Sequence, residues 1–165
     1  MKVLFVDDEP DVLEQAKVFL EKEDDCLNVD TVISAEEGLK RLDEERYDVV
    51  VSDYKMPEIN GLDFLKILRK ERNSDIPFIV LTGKGSEDFA ERAINMGIDR
   101  YFKKVGKPKK QYQRLADAIL QVGEEGKCPA DNLIAWIEVT LAGEGDFEKY
   151  CLRELSQKAG FCITD

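Results

Sequence analysis

The chain has 165 residues, of which 43% are hydrophobic and 36% charged, proportions typical of a soluble globular protein with one full domain and a small appendage. The formal net charge of −11 argues against nucleic-acid binding by this chain alone. No apolar run approaches the ~20 residues of a membrane helix. Because residues 1–5 run directly into a strand-like segment and leave no room for a signal peptide, we expect a cytoplasmic protein without membrane contact.

The sequence contains no histidine, and its four cysteines include no Cys-x-x-Cys pair. Histidine-dependent nucleophilic catalysis and histidine–metal sites are therefore excluded, and a zinc site is disfavoured. The chemistry left to the chain is that of carboxylates, lysines and hydroxyls.

Strand-like and helix-like segments alternate five times over about 122 residues. In chain order we predict strand 2–6, helix 11–22, strand 28–33, helix 35–42, strand 48–53, a helix after Gly61, strand 76–81, a helix from Ser86 to near Met96, strand 100–102 and a helix at about 109–122. This alternation indicates an α/β fold, with a parallel sheet, helices on both faces and right-handed crossovers.

Local signals support three of these elements. The continuous apolar run 49–51 is typical of a strand buried on both faces. Pro10 stands where the first turn of a helix tolerates proline. Ser34 and Glu37 have the spacing of a capping box, which predicts that a helix begins between them.

Polar side chains follow four of the predicted strands. The first strand leads to Asp7 and Asp8, the third to Asp53, the fourth to Thr82 and the fifth to Lys104. Because ligands of open α/β sheets bind outside the carboxyl ends of the strands, we expect these side chains to share one crevice.

Three carboxylates in one crevice repel each other unless cations neutralise them. Mg²⁺ meets that need, since it typically takes one or two carboxylates and keeps several waters. With a lysine and a hydroxyl nearby, this set of groups is what phosphoryl transfer to a carboxylate nucleophile requires.

Four ordered motifs resemble those of the response-regulator receiver domain, of the chemotaxis-receiver type. They are Phe5-Val-Asp7-Asp8-Glu-Pro, Val51-Ser-Asp53-Tyr-Lys-Met-Pro57-x-x-x-Gly61, Val80-Leu-Thr82-Gly and Tyr101-Phe-Lys-Lys104. The resemblance covers residues 1 to about 122. It implies a flavodoxin-like, doubly wound five-stranded parallel sheet in the order 2-1-3-4-5.

The resemblance also assigns roles at the phosphoryl acceptor and the metal. Asp53 would accept a phosphoryl group from the phosphohistidine of a partner kinase. Asp8 would be a direct Mg²⁺ ligand, and Asp7 would belong to the acidic pocket and act largely through water. Lys55 would give its backbone carbonyl to the metal.

The remaining implied roles concern signalling. Thr82 and Lys104 would contact the bound phosphoryl oxygens, and Tyr101 would change rotamer on activation. A phosphoryl group adds about two negative charges and new acceptors, toward which Thr82 and Lys104 can move. The face formed by the predicted helix after Ser86, the fifth strand and the fifth helix is then the natural switch.

The implied partners are a sensor histidine kinase as phosphodonor and a downstream protein or a covalently attached output domain; a homodimer is a further possibility. The implied chemistry is self-phosphorylation from phosphohistidine or small phosphodonors and slow autodephosphorylation, not conventional enzyme turnover. Because the chain contains no histidine, the phosphodonor must lie outside it.

The chain departs from the family pattern after the fifth strand. Receivers usually have proline directly after the active-site lysine, whereas Lys104 is followed by Val105-Gly-Lys107-Pro108. Alignment on Tyr101 selects Lys104, and Lys107, which directly precedes the proline, is the alternative.

Residues 123–165 lie outside the resemblance. Residues 123–129 are predicted to be a linker, followed by two short amphipathic helices. Two such helices cannot bury much core alone, so they pack on the receiver, pair with another chain or begin a truncated output region. A winged-helix DNA-binding domain would need more residues and more positive charge.

Two other classes of protein use a similar sheet. A phosphatase or dehalogenase-like enzyme places its aspartyl nucleophile in an Asp-x-Asp after the first strand, whereas here that strand ends in Asp7-Asp8-Glu9. A flavodoxin-type electron carrier needs a phosphate-binding loop at the same place, where these acidic residues would repel the FMN phosphate.

Overall fold

The computed structural model describes residues 1–83, 92–93, 95–104 and 107–125. Five parallel strands form one sheet in the order β2-β1-β3-β4-β5. The strands are β1 (Lys2–Val6), β2 (Asn28–Val32), β3 (Val49–Asp53), β4 (Phe78–Thr82) and β5 (Arg100–Lys103). The predicted α/β class and strand order are confirmed.

Helices lie between the strands and after the last one. They are α1 (Pro10–Glu23), α2 (Ala35–Glu44), α3 (Gly61–Lys66) and α4 (Pro108–Glu125). In the part of the chain that is described, no helix combines the length and apolar character needed to cross a membrane.

The sheet separates two apolar layers. Odd-numbered residues of β1, such as Phe5, pack with α1 and α4, whereas even-numbered ones, such as Leu4, pack with α2 and α3. All five residues of β3 are buried, because helices cover both faces of this central strand. This burial accounts for the apolar run in the sequence and fixes the strand that ends at Asp53.

The helix after Gly61 differs from its prediction. The apolar spacing predicts one helix through Leu68, but α3 ends at Lys66 and a π-helix follows at Ile67–Glu71. The Arg69 guanidinium, on this π-helix, donates to Ser74 O at 2.9 Å and contacts Asp99 at 3.1 Å. Hydrophobic periodicity does not distinguish one wide turn from an ordinary helical turn, so the sequence gives no sign of it.

Most other elements agree with the sequence to within two residues. At α2, Ser34 Oγ accepts a hydrogen bond from the Glu37 amide at 3.2 Å, as the capping box predicts. Gly97, at the predicted end of the helix after Ser86, has a φ of +76°. Most of the body of that helix, residues 86–91 and 94, lies outside the described residues.

The last helix is longer than predicted. Helix α4 runs to Glu125, so its end takes up part of the predicted linker. A Cβ at Gly123 would stand 2.4 Å from Met1 Cε, which shows that the α4 backbone packs closely on the Met1 side chain. The two further helices predicted within 126–165 lie outside the described residues.

Candidate functional site

The carboxyl ends of the strands bring four polar side chains to one edge of the sheet. Asp7 follows β1, Asp53 ends β3, Thr82 ends β4 and Lys104 follows β5. Only 1% of Asp7, 6% of Asp53 and 1% of Thr82 is exposed to solvent. Four of the five residues that the sequence places at strand ends therefore meet at a mostly buried site, and the fifth, Asp8, is exposed.

The Lys104 ammonium joins the two buried carboxylates. Its Nζ lies 2.8 Å from Asp7 Oδ2 and 2.5 Å from Asp53 Oδ1. Its backbone amide donates to Thr82 O at 2.7 Å, which fixes the residue beside the end of β4. Lys107, the alternative lysine, is exposed, and among the described residues its side chain contacts neither carboxylate.

Burial and the neighbouring charges act in opposite directions on the pKa values of Asp53 and Lys104. Burial raises the pKa of Asp53, although the Lys104 ammonium and the Lys55 amide, 2.6 Å from Asp53 Oδ2, favour the ionised form. Burial alone would lower the pKa of Lys104, but its hydrogen bonds to Asp53 and Asp7 outweigh that effect and raise it. Lys104 is therefore charged at neutral pH.

The carboxylates offer oxygen ligands that suit a small divalent cation. Asp8 is exposed beside the buried pair, and Asp7 Oδ1 accepts a hydrogen bond from the Glu9 amide at 3.0 Å. In the ranges that the structure describes, no three acidic, cysteine or histidine side chains form a group that could hold a metal. The Lys104 ammonium takes the cation's place between Asp7 and Asp53, so the donor set fits Mg²⁺ only if Lys104 withdraws from Asp53.

Thr82 contributes a buried hydroxyl with no hydrogen-bond partner among the described residues. Leaving a buried polar group without a partner costs about 1–3 kcal/mol, so this arrangement calls for an explanation. An oxygen atom arriving at Asp53 would supply the missing acceptor.

The loop after Asp53 is held close to the site by backbone contacts. The Tyr54 amide donates to Leu81 O at 2.7 Å, and the Gly61 amide donates to Tyr54 O at 3.0 Å. The Asn60 side chain accepts from the Leu62 amide and caps α3. These bonds hold the segment that carries Lys55. The Lys55 amide donates to Asp53, and the Lys55 carbonyl is the predicted metal ligand.

Glu58 occupies a strained turn that the sequence did not reveal. Its φ is +61°, and the Ile59 amide donates to Pro57 O at 2.7 Å, which makes Glu58 the centre of a rare γ-turn with positive φ. Glycine is the usual signal for such a backbone, and this turn has none. The strain lies in the same loop as the site.

We expect Glu58→Gly to stabilise the protein by about 0.5–1 kcal/mol, because relief of the left-handed strain exceeds the entropy that glycine adds to the unfolded chain. Urea unfolding measures the change. Glu14→Gly, in the interior of α1, is the control and should destabilise by about 1 kcal/mol. Destabilisation by both substitutions would show that the turn holds no strain.

Tyr101, the predicted switch residue, pairs with Val80 on the neighbouring strand. It is half-buried and packs against the apolar layer formed with α2 and α3. Tyr101 is three residues before Lys104, and its partner Val80 is two residues before Thr82, so a change at the Thr82–Lys104 backbone contact could reach it.

Comparison with known proteins identifies the family. The model for "Response regulator receiver domain" matches residues 3–116. The response regulator SaeR of Staphylococcus aureus (strain USA300) is 32% identical over 139 residues, which are 84% of this chain and 59% of that protein. The chain thus spans about three-fifths of the length of this relative.

Solved structures give the same result. A response regulator receiver domain protein from Clostridium thermocellum is 34% identical, with a TM-score of 0.65 over 74% of this chain and 94% of that chain. A CheY-like receiver domain protein from Methanospirillum hungatei JF-1 is 27% identical, with a TM-score of 0.63 over 76% of this chain and 98% of that chain. The chain therefore belongs to the response regulator receiver domain family of two-component signalling systems.

Proposed function

We propose that Asp53 accepts a phosphoryl group from the phosphohistidine of a sensor histidine kinase, or from a small phosphodonor, in a Mg²⁺-dependent reaction. The observation that carries this proposal is the Lys104 ammonium between Asp7 and Asp53, with the buried Thr82 hydroxyl, which has no hydrogen-bond partner in the described part of the chain, at the neighbouring strand end. Family membership supports the same chemistry.

The reaction uses the Asp53 carboxylate as nucleophile. One carboxylate oxygen attacks phosphorus, a new O–P bond forms, and the P–N bond to the donor imidazole breaks. The Asp53 side chain is suited to this role because the Lys55 amide holds one of its oxygens in a fixed position, and the other, which Lys104 contacts in this structure, becomes available when Lys104 withdraws to admit Mg²⁺.

The Mg²⁺ would be held by Asp8 and Asp53, by the Lys55 carbonyl, and by Asp7 through water. Its chemistry is to neutralise charge on the carboxylates and on the transferring phosphoryl oxygens. The exposed position of Asp8 leaves that side of the site open to an ion with several waters.

Phosphorylation would change the contacts of two residues at once. Lys104 would exchange a carboxylate oxygen of Asp53 for a phosphoryl oxygen, and the Thr82 hydroxyl would donate to another. Because the Lys104 amide is bonded to Thr82 O, the ends of β4 and β5 would shift together. Tyr101, on β5, would then switch with the face formed by the segment after Ser86, β5 and α4.

The proposed partners follow from this role. A sensor histidine kinase delivers the phosphoryl group, and a downstream protein or an attached output domain, or a second copy of this chain in a homodimer, reads the switched face. We place the chain in the cytoplasm and divide it into a receiver at 1–122 and an extension at 123–165. No observation favours a phosphatase-like enzyme or a flavodoxin-type carrier.

Mass spectrometry of the intact protein tests the proposal. With acetyl phosphate and Mg²⁺ the chain should gain one phosphoryl group, and Asp53→Asn should lose that gain completely. Asp25→Asn, an exposed loop residue, is the matched control and should be labelled like the wild type. Equal labelling of Asp53→Asn would show that another group is the acceptor.

A further inference from the structure

Positive charge is concentrated in one short segment of this acidic protein. Residues 103–114 contain six cations and no acidic residue: Lys103, Lys104, Lys107, Lys109, Lys110 and Arg114. Since the whole chain carries −11, the remainder carries −17 (−11 minus +6). The overall charge thus conceals a local region of opposite sign.

Four of these cations, Lys107, Lys109, Lys110 and Arg114, form what we call the basic cluster. All four are exposed, and within the described ranges none of their side chains makes an ion pair or a hydrogen bond. Helix α4 has no acidic residue in its first turn. Lysines there oppose the helix dipole, so this arrangement does not serve the stability of the helix.

The basic cluster lies next to the phosphoryl-acceptor site. Lys107 follows Lys104 by three residues, so their Cα atoms are at most about 11 Å apart. Tyr112, in the second turn of α4, stacks on Phe19 of α1 with ring centroids 5.4 Å apart. Tyr112 also belongs to the same buried apolar layer as Phe102 on β5, two residues before Lys104, which places this turn near the end of β5.

The site itself is poorly suited to attract an anion. A phosphodonor is negatively charged, and it must approach Asp7, Asp8 and Asp53 in a chain of net charge −11. The buried Thr82 hydroxyl, which finds no hydrogen-bond partner among the residues that the structure describes, independently indicates that an oxygen-bearing ligand is received here. Attraction at longer range must come from outside the carboxylate pocket.

We infer that the basic cluster steers anionic phosphodonors to Asp53, an inference that rests on the proposed function. Its exposed cations, which make no ion pair within the described ranges, and the positive end of α4 give a local attractive field beside a repulsive pocket. Such steering raises the rate of encounter and weakens steeply with ionic strength, because the Debye length falls from about 30 Å at 0.01 M to about 3 Å at 1 M.

The test compares initial phosphorylation rates of the full chain at a donor concentration well below saturation and at fixed Mg²⁺. In Lys107→Gln/Lys109→Gln/Lys110→Gln we expect the rate with acetyl phosphate to fall by about threefold to tenfold near 0.01–0.02 M ionic strength, and by less than about twofold near 1 M. Phosphoramidate, which carries less negative charge at neutral pH, should show a smaller loss.

The control variant is Lys22→Gln/Lys40→Gln/Lys66→Gln, which changes the net charge equally at exposed positions on α1, α2 and α3. It should keep most of the wild-type rate. The three single substitutions in the basic cluster should give partial losses, and they keep the test decisive if the triple variant does not fold.

The outcomes separate this inference from the proposed function. Two results would overturn the steering inference alone, provided that the wild-type chain is labelled. The first is an equal rate for the two triple variants. The second is a loss of rate in the basic-cluster variant that is the same at low and high salt. Absence of any labelling of the wild-type chain would overturn the proposed function and the inference together.

Discussion

Replacing Lys104 by methionine should lower the free energy of unfolding by about 3 kcal/mol when no divalent cation is present. The substitution keeps an unbranched four-atom stem but removes the ammonium, which leaves the Asp7 and Asp53 carboxylates without their shared cation. Removing one partner of a buried ion pair typically costs 3–5 kcal/mol. We expect the lower end of that range because 22% of the Lys104 side chain is exposed.

Mg²⁺ should recover much of this loss, because it supplies the missing positive charge and no longer has to displace an ammonium from Asp53. Binding to the folded state alone adds about 2.7 kcal/mol at a concentration of 100 Kd. Urea unfolding of the wild type and of Lys104→Met, each with and without Mg²⁺, measures the effect. The gain from Mg²⁺ should be larger in the variant, since in the wild type the ion must displace Lys104 from Asp53.

Two further variants make the interpretation specific. Adding Asp53→Asn to Lys104→Met removes one of the two uncompensated charges and should regain part of the lost stability. Lys107→Met removes an exposed lysine that makes no ion pair with the described residues, and it should change stability by less than about 0.5 kcal/mol. If Lys107→Met were the more destabilising substitution, the alternative alignment of this loop would be correct.

The fold was predictable because its signals are local and repeated. The apolar run of β3 and the alternation of strand and helix patterns follow from burial of the central strands on both faces. The same argument predicts the candidate site, because each predicted strand also identifies the residues that follow its carboxyl end. Asp7, Asp53, Thr82 and Lys104 meet as expected because parallel strands end at one edge.

The parts that were not predictable depend on contacts between distant residues. The π-helix at Ile67–Glu71 lies where Arg69 reaches Ser74 and Asp99, and no pattern within the helix encodes that reach. The strained turn at Glu58 lacks the glycine that would reveal it.

The choice between Lys104 and Lys107 shows a second limit of local patterns. The proline that follows the active-site lysine in most receivers comes three residues late here, so the local motif allows both lysines. The strand pairing of Thr82 with Lys103, and the bond from the Lys104 amide to Thr82 O, bring Lys104 to the carboxylates.

Gly61→Ala should destabilise the protein by about 2–3 kcal/mol and slow phosphorylation of Asp53 by tenfold or more. A Cβ at this position would stand 2.4 Å from the Asp53 carbonyl oxygen and 3.2 Å from the Tyr54 Cα, both backbone atoms that cannot move aside as a side chain can. Overpacking typically costs 1–3 kcal/mol. The displaced backbone carries Asp53, the proposed acceptor, and a shift of about 1 Å at a reacting group can cost 10²-fold in rate.

Gly83→Ala is the matched control for this substitution. It follows Thr82 directly, yet no described atom lies within 4 Å of a Cβ built there, and its φ is not positive. Its stability should change by less than about 0.5–1 kcal/mol, with any gain coming from reduced freedom of the unfolded chain. Urea unfolding and the initial rate of labelling by acetyl phosphate measure both variants. Normal labelling of Gly61→Ala would mean that the loop can move away from Asp53 without disturbing its carboxylate, and the close contact would then have no part in positioning the acceptor.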